Sequence, residues 1–235
     1  MQRILITGSN RGIGLELARQ YAARGAQVFA TCRDPQSADQ LHALAQAHAD
    51  RVHLVALDTG HPESIAEAAS TIHAQTDGLD VLINNAAINP RDDRLRAFGQ
   101  LEPDPILDVL RVNSIGPVLV TQAFADLLRR GNSARVVNIS SGAGSLEQQA
   151  NGCGYTYHAS KAALNMFTRC LAGTLQADGI ITIVLNPGWV KTDMGGPNAT
   201  LEAEQSIRGI LDVIDRLTID DNGAFCQWDG KRLPW

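Results

Sequence analysis

Tyr157 and Lys161 are the two side chains whose types and spacing first suggest chemistry. They lie in the run Gly154–Arg169, which is rich in helix formers and has no further glycine or proline, so we predict a helix there. Residues four apart share one face of a helix. A nearby ammonium favours the phenolate and lowers the phenol pKa from its reference value of about 10. The pair could therefore transfer a proton near neutral pH, although the spacing also fits an amphipathic helix with a surface lysine.

Short apolar segments alternate with helical segments along most of the chain. The predicted strands are 3–7, 25–32, 52–57, 79–83, 135–139 and 180–185, and the predicted helices are about 13–24, 36–49, 61–75, 104–130 and 154–177. This alternation indicates βαβ units and a parallel sheet covered on both faces. We predict an α/β protein: a single-domain Rossmann fold over 1–235, with a doubly wound parallel sheet and helices on both faces. Residues from about 190 to 235 are expected to form a substrate lid and C-terminal segment.

Composition narrows the classes of function. A net charge of -5 argues against a nucleic-acid surface, and the chain has no apolar run of the ~18 residues that a membrane span needs. The four cysteines are far apart and form no C-x-x-C, which favours free thiols in a reducing compartment. The chain enters a strand almost at once, leaving no room for a signal peptide, so we expect a cytoplasmic protein. The histidines lack metal-ligand spacing, and we predict no metal site.

A glycine-rich turn follows the first predicted strand. Gly8, Gly12 and Gly14 lie between that strand and the next helix. Glycines let a backbone approach a pyrophosphate, and a helix N-terminus offers free N–H groups and the positive end of its dipole. The spacing differs from G-x-G-x-x-G, and a turn required only by tight packing is the alternative. Its position between strand and helix favours a dinucleotide site.

The end of the second strand bears on which dinucleotide is bound. An acid there holds the ribose 2′-hydroxyl of NAD, whereas an arginine accommodates a 2′-phosphate. Cys32 occupies the expected position of the acid, Arg33 follows it, and Arg11 in the glycine turn adds a second cation. We therefore predict NADP(H), with NAD(H) disfavoured. In the alternative interpretation both arginines are solvated surface charges, and Asp34 is free to pair with Arg33.

Two further polar residues have positions that suggest a role. Asp58 follows the third strand, where it could accept a hydrogen bond from an adenine amino group or cap the following turn; both interpretations stay open. Asn113 lies inside the predicted helix 104–130, shortly before Gly116-Pro117. Asparagine is unfavourable in a helix interior, so we predict a local kink with a function.

Six motifs occur in the order typical of the short-chain dehydrogenase/reductase family, and the match covers about 3–195. They are Thr7-Gly8-x-x-x-Gly12-x-Gly14, Asn84-Asn85-Ala86, Asn113, Ser140-Ser141, Tyr157-x-x-x-Lys161 and Pro187-Gly188. The stretch Pro187–Gly196 and the tail Asp221–Trp235 resemble the branch that contains sniffer-type carbonyl reductases and C-factor-like proteins. The resemblance implies an NAD(P)-dependent oxidoreductase acting on CH–OH and C=O groups.

The resemblance also implies roles for individual residues. Tyr157 would be the general acid and base, and Lys161 would bind the nicotinamide ribose and lower the Tyr157 pKa. Ser141 would hydrogen-bond the substrate carbonyl, and Asn113 would hold a water in a proton relay with Lys161. The rival phenol, Tyr155, has an alanine four residues on. The implied cofactor-binding residues are Gly8, Asn10, Arg11, Gly12, Ile13, Gly14, Arg33, Asp58, Asn85, Ala86, Tyr157, Lys161, Pro187, Gly188, Val190 and Thr192.

The chain departs from the family pattern in two places. Ala87 stands where the family has glycine, adding a methyl close to the cofactor, with backbone strain or a shifted ribose as the expected effect. The gap between Ser141 and Tyr157 is slightly longer than the family's commonest form, and we expect its 148–154 portion to bulge near the substrate mouth.

The favoured hypothesis is an NADPH-dependent reductase that converts an aldehyde or ketone to an alcohol, with Tyr157 as general acid. Two alternatives are a C-factor-like dinucleotide-binding signalling or sensor protein with little turnover, and an NAD-dependent alcohol dehydrogenase. Helices 104–130 and 154–177 carry apolar residues beyond one narrow stripe. The family resemblance and the commonness of two-fold assemblies therefore suggest a homodimer or homotetramer.

Overall fold

The computed structural model describes residues 1–148 and 154–235. Its strands are β1 (Arg3–Thr7), β2 (Gln27–Cys32), β3 (Val52–Ala56), β4 (Val81–Asn84), β5 (Arg135–Ile139), β6 (Ile181–Asn186) and β7 (Phe225–Gln227). They form one parallel sheet in the order β3-β2-β1-β4-β5-β6-β7. The winding direction reverses between β1 and β4, which is where open α/β sheets bind their ligands.

Helices follow most of the strands. They are α1 (Gly12–Ala23), α2 (Asp39–Ala47), α3 (Pro62–His73), α4 (Asp93–Arg96), α5 (Pro103–Leu110), α6 (Gly116–Ala123), α7 (Ala125–Arg129), α8 (Tyr155–Leu175) and α9 (Ala203–Arg216). In the part of the chain that is described, no helix combines the length and apolarity needed to cross a membrane.

The strands are buried because successive side chains enter two different cores. Ile4 and Ile6 of β1 lie in a cluster with Leu17 of α1 and Ile210 of α9. Leu5, between them, lies in a second cluster on the opposite face of the sheet, with residues of α3 and α6. Successive side chains of a strand point to opposite faces of the sheet, so with helices on both faces they enter two separate cores. The predicted doubly wound Rossmann fold is confirmed.

The predicted helix 104–130 is interrupted in the structure. After α5 the backbone takes a π-helical turn over Arg111–Ile115 before α6 begins. Pro117 has no N–H to continue an α-helical ladder, and a Cβ on Gly116 would lie 2.5 Å from the Thr59 carbonyl oxygen. The predicted kink at Asn113 is confirmed, and it has the form of the π-turns that often mark functional sites.

Residues beyond β6 complete the framework. Helix α9 lies against α1, where the Arg24 guanidinium is 2.8 Å from the Asp215 carboxylate. Strand β7 pairs in parallel with β6 at the edge of the sheet. The loop between β6 and α9, over 187–202, connects these elements at the carboxyl end of the sheet. Neither α9 nor β7 was predicted from the sequence. Helix α9 could have been found, because Ile207, Ile210, Leu211 and Ile214 recur at helical spacing, whereas β7 has only three residues and carries no long apolar run.

Candidate active site

The first two turns of α8 present Tyr157 and Lys161. Gly154, with φ of +67°, lets the chain enter the helix through a left-handed conformation. The Lys161 ammonium nitrogen lies 5.8 Å from the centre of the Tyr157 ring and donates a 2.9 Å hydrogen bond to the carbonyl oxygen of Ile139. Lys161 is buried, and Tyr157 is partly buried. The predicted helix is confirmed, and the two groups lie together at the end of β5.

Burial dominates the ionisation of both groups. It raises the pKa of the Tyr157 phenol, and a hydrogen bond with Ser141 opposes that rise. It lowers the pKa of Lys161 to about 8. Lys161 was expected to lower the Tyr157 pKa, but in this structure that pKa is raised, because removing the phenolate from water outweighs its hydrogen bond with Ser141.

The two serines after β5 have different surroundings. Ser140 is buried and donates a 2.7 Å hydrogen bond to the Asn165 side chain. Ser141 is partly exposed, accepts a 3.1 Å hydrogen bond from the backbone N–H of Ala143, and also hydrogen-bonds Tyr157. Successive side chains of an extended segment point to opposite sides. The structure therefore brings Ser141, and not Ser140, together with Tyr157.

Asn113 is buried inside the π-turn and is fully engaged there. Its side chain accepts a 2.8 Å hydrogen bond from the Ile88 N–H and donates one of 2.8 Å to the Ile88 carbonyl oxygen. It also donates to the Ser160 hydroxyl at 3.1 Å. These contacts join the segment after β4 to the residue before Lys161. The side chain of Asn113 therefore positions neighbouring backbone, and its part in a water relay stays a prediction.

The glycine turn is tied to the end of β4. The Asn85 side chain donates hydrogen bonds of 2.9 and 3.0 Å to the carbonyl oxygens of Thr7 and Gly8. In return, the Thr7 hydroxyl accepts hydrogen bonds from the N–H groups of Asn85 and Ala86, each at 3.0 Å. A Cβ on Gly14 would stand 2.1 Å from the Gly8 carbonyl oxygen, so the turn can close only around glycine.

The start of α1 fits a pyrophosphate. Arg11 precedes the helix in an extended conformation, and within the described residues no side chain caps the first N–H groups. Those groups and the helix dipole are free to meet an anion. Thr192 lies over the turn, its methyl 3.3 Å from where a Cβ of Gly12 would be. Exposed Asn10 and partly buried Ile13 flank this cradle.

The cations at the nucleotide end are exposed. Arg33 has no carboxylate within 4 Å among residues 1–148 and 154–235, whereas the Arg11 guanidinium lies 2.9 Å from the Asp193 carboxylate. Asp34 accepts from the Gln36 N–H and caps a short 3-10 turn, so the alternative pairing with Arg33 is not formed. Cys32 is buried, which raises its thiol pKa. Arg33 is therefore available to an anionic ligand.

Asp58 caps the turn that follows β3. One carboxylate oxygen accepts a 2.9 Å hydrogen bond from the Gly60 N–H, and the other lies 3.2 Å from the His61 ring. The turn-capping interpretation thus describes the structure. Contact with an adenine stays a prediction.

The segment after β6 makes a fixed loop. The carbonyl oxygen of Pro187 accepts a 2.7 Å hydrogen bond from the Ser206 hydroxyl, and Val190 forms a β-bridge with Leu201. Gly188 has φ of +79°, and a Cβ there would stand 2.5 Å from the Leu201 side chain. These contacts hold the loop at Pro187 and where Val190 meets Leu201, while Thr192 lies against the glycine turn.

A small open cavity of about 50 Å³ lies beside Tyr157. Its apolar wall is formed by Pro90, Leu95 and Val109, and its polar wall by Asn89, Arg96 and His158. Most of these residues come from a stretch, about 88–102, that the sequence patterns left irregular. Their types carried no signal of a site, because only the fold of this stretch against α8 brings them to Tyr157. Thr156 makes that contact with a 2.8 Å hydrogen bond to the Leu95 carbonyl oxygen.

The two departures from the family pattern have different outcomes. Ala87 does not have a positive φ, since in the described residues only Ser133 among the non-glycine residues does. Ala87 therefore shows no strain of the left-handed kind, and the alternative effect, a shifted ribose, stays a prediction. The insert that we expected to bulge near the substrate mouth falls mainly on residues 149–153, outside the described residues. Within the described part of the chain, no cluster of three or more metal-ligating side chains occurs.

Comparisons with known proteins agree with the fold. The family described as short chain dehydrogenase matches residues 2–202. C-signal from Myxococcus xanthus is 42% identical over 160 residues, which are 68% of this chain and 95% of that protein. The NADPH-bound carbonyl reductase from chicken fatty liver superposes with a TM-score of 0.93 at 36% identity, covering 100% of this chain and 99% of that one. Carbonyl reductase Sniffer of D. melanogaster gives 0.91 at 34% identity, covering 100% of both chains.

Proposed function

The chain belongs to the short-chain dehydrogenase family, and from that premise we propose that it is an NADPH-dependent reductase of aldehydes and ketones. The chain is an NAD(P)-dependent oxidoreductase by family. The observation that carries the finer proposal is the meeting of Ser141, Tyr157 and Lys161 at the end of β5, where Tyr157 also lines a small cavity. A site that only sensed a dinucleotide would have no need of a hydroxyl pair aimed at a second ligand.

The proposed chemistry follows from the positions of the three side chains. The hydroxyls of Ser141 and Tyr157 together would bind the carbonyl oxygen of the substrate. NADPH, when bound, supplies the hydride that reaches the carbonyl carbon. Tyr157 gives its proton to the oxygen, and its raised pKa keeps the phenol protonated in the neutral range. The Lys161 ammonium favours the phenolate that remains.

The cofactor is proposed to lie along the carboxyl edge of the sheet. The N-terminus of α1 and the turn Gly8–Gly14 would hold the pyrophosphate, and Arg33 would meet the 2′-phosphate. Asn85, Ala86 and the loop 187–192 would line the nicotinamide end. The chicken carbonyl reductase that this chain resembles carries NADPH in its structure. The absence of an acid at Cys32 disfavours the alternative of an NAD-dependent alcohol dehydrogenase.

A second candidate function is supported by one specific observation, the 42% identity to C-signal. In that case the chain would bind the dinucleotide with little turnover and act in signalling. Fold cannot separate the two, because one fold supports both. The complete Ser141, Tyr157 and Lys161 set favours the enzyme.

The test is NADPH oxidation in the presence of a panel of aldehydes, ketones and quinones. The enzyme proposal expects turnover with at least one compound, and loss of that turnover in Tyr157→Phe. Tyr155→Phe is the matched control, because this phenol lies two residues earlier on α8, on a different face of the helix, and is exposed. Tight NADPH binding with no turnover on the whole panel would favour the sensor.

A lid and a two-fold assembly are also proposed. Of the segment 190–235 that we expected to hold a substrate lid, α9 and β7 belong to the framework, so we propose the loop 187–202 as the lid. Trp189 and Met194 are exposed on this loop, and Thr192 lies over the glycine turn. Leu107 and Ile115 near the π-turn, with Met166 and Phe167 of α8, are exposed apolar residues on helices that pack together. These are the residues that a homodimer, or a homotetramer, would cover. Sedimentation showing only a monomer of 25.2 kDa at micromolar concentration would refute the assembly.

A further inference from the structure

The Trp235 side chain is clamped between two framework elements. Its ring centre lies 5.5 Å from that of Phe225 in β7, and the Arg169 guanidinium of α8 lies 5.2 Å from the ring. Aromatic pairs and cation–π contacts at these distances are attractive. The Leu233 N–H donates a 2.8 Å hydrogen bond to the Phe225 carbonyl oxygen, which fixes the backbone leading to Trp235. The ring therefore has a defined place between β7 and α8.

The backbone oxygen of Trp235 holds a turn from a distant part of the sequence. It accepts a 2.8 Å hydrogen bond from the Glu147 N–H and a 3.2 Å hydrogen bond from the Ser145 hydroxyl. The same hydroxyl accepts a 3.2 Å hydrogen bond from the Gln148 N–H. Ser145 is buried, so these contacts are shielded from competing water. The turn 145–148 is thus fastened to Trp235 at two points.

Backbone hydrogen bonds connect this turn directly to Ser141. The Gly144 N–H donates to the Ser141 carbonyl oxygen at 2.9 Å, and the Ser145 N–H donates to that of Gly142 at 3.0 Å. On the side of α8, the Asn165 amide donates to the Gly144 carbonyl oxygen at 3.0 Å. The 3-10 turn Gly142–Gly144 is therefore held by α8 at Gly144, and Ser145, the residue that follows it, is held by Trp235.

We propose that Trp235 is a positioning residue for carbonyl reduction: it fixes the turn 145–148 and, through it, the hydroxyl of Ser141. This proposal rests on the proposed function, because Ser141 and Tyr157 are the groups that it aligns. Small misplacements of such groups lower rates steeply, since the reacting geometry is narrow. Trp235 does not touch the reacting atoms itself.

Steady-state kinetics of Trp235→Ala, with NADPH and a carbonyl compound that the wild type reduces, test this role. We expect kcat to fall about tenfold or more while the Kd of NADPH stays within about twofold, because the cofactor cradle is built from other elements. Trp235→Phe should restore most of kcat, since a phenyl ring keeps the contacts with Phe225 and Arg169. Leu233→Ala is the matched control: it truncates an apolar side chain of the same segment, and kcat should stay within about twofold.

A double-mutant cycle separates positioning from general destabilisation. Ser145→Ala removes the hydroxyl that connects Trp235 to the turn, so its effect on kcat and that of Trp235→Ala should be strongly non-additive. An unchanged kcat in Trp235→Ala, a loss equal to that of Leu233→Ala, or additive effects in the cycle would each overturn the proposal.

Hydrogen exchange gives a readout that does not depend on turnover. Trp235→Ala should speed exchange of amides in 141–148, including the Ala143 N–H bonded to the Ser141 hydroxyl, while Leu233→Ala should not. Unchanged exchange there overturns the positioning role even if the protein is a reductase. Faster exchange in Trp235→Ala, together with a wild type that reduces nothing on the panel, would support the positioning of Ser141 and overturn the proposed function alone.

Discussion

The catalytic and nucleotide-binding ends of the sheet hold their polar side chains in different ways. At the catalytic end, Lys161 and Asn113 are buried and hydrogen-bonded to backbone oxygens at 2.8–2.9 Å. At the nucleotide end, Arg33 is exposed without a carboxylate partner in the described chain, and Arg11 has only an exposed partner, Asp193. Buried groups with fixed partners act in a low dielectric and need no reorganisation. We therefore expect reaction chemistry here to depend on preorganised geometry and cofactor choice to depend on screened charges.

The largest expected effect comes from the catalytic end. Tyr157→Phe should lower kcat by roughly 10²–10⁴-fold, which is the usual contribution of a positioned general acid. The Kd of NADPH should change little, because the phenol acts on the substrate oxygen. Steady-state rates and fluorescence titration of NADPH measure the two effects. A kcat within a few-fold of wild type would remove Tyr157 from the mechanism, and Tyr155→Phe should be mild.

Lys161→Ala should affect both catalysis and cofactor binding, because the same ammonium is proposed to favour the Tyr157 phenolate and to bind the nicotinamide ribose. We expect kcat to fall by roughly a hundredfold and NADPH binding to weaken. Reduction needs a protonated Tyr157, so activity is lost as pH rises through the phenol pKa. In the wild type the ammonium is lost above about pH 8, below the raised pKa of the phenol, and activity should begin to fall there. Lys161→Ala has no ammonium to lose, so its basic limb should follow the phenol alone and lie at higher pH.

The charge of Lys161 in the wild type should make the affinity for NADPH depend on pH. The pKa of this group is lowered to about 8, so the ammonium is present below that pH and lost above it. Wild-type affinity for NADPH should therefore decline as pH rises through about 8, while the affinity of Lys161→Ala should be flat there. Titrations between pH 7 and 9 make the measurement. A downward shift of the basic limb, or equal cofactor affinity in both proteins, would contradict the assigned role.

At the nucleotide end, Arg33→Ala should remove most of the preference for NADPH. Hydrogen bonds to charged groups are worth about 1.5–3 kcal/mol, and a total of about 3 kcal/mol gives roughly a hundredfold preference. Arg33→Ala should weaken NADPH and leave NADH almost unchanged, and Cys32→Asp should go further by repelling the phosphate. The measurement is kcat/KM for both cofactors with one carbonyl compound. Equal weakening of both cofactors would show that Arg33 is only a surface charge.

The smallest expected effect is that of salt. Raising the ionic strength from about 0.05 M to 0.5 M should reduce the NADPH preference a few-fold, because exposed cations are screened over a Debye length of about 10 Å or less. The kcat at saturating NADPH should change less, since Lys161 is buried. If salt lowered kcat as strongly as it lowered the preference, the contrast between the two ends would fail.

The sequence predicted what depends on local patterns and missed what depends on packing. Short apolar runs and the Tyr157–Lys161 spacing are local, so the sheet and the shared helix face followed from them. Arg96 and Asn89 became cavity residues only because α4 folds against α8, which no short pattern encodes. The Tyr157 pKa was predicted in the wrong direction because sequence spacing reveals a neighbouring charge but not the burial that opposes it.

The hydrogen bonds from Asn85 to the oxygens of Thr7 and Gly8 span 78 and 77 residues of chain. Contacts so distant in sequence cannot form until the intervening chain is ordered, since closing a long loop has an entropic cost. The glycine turn should therefore reach its final shape late in folding, after β4 has docked beside β1. A nascent chain that has emerged only as far as β2 would carry every glycine of the motif. It would still lack Asn85, whose hydrogen bonds shape the turn for a nucleotide.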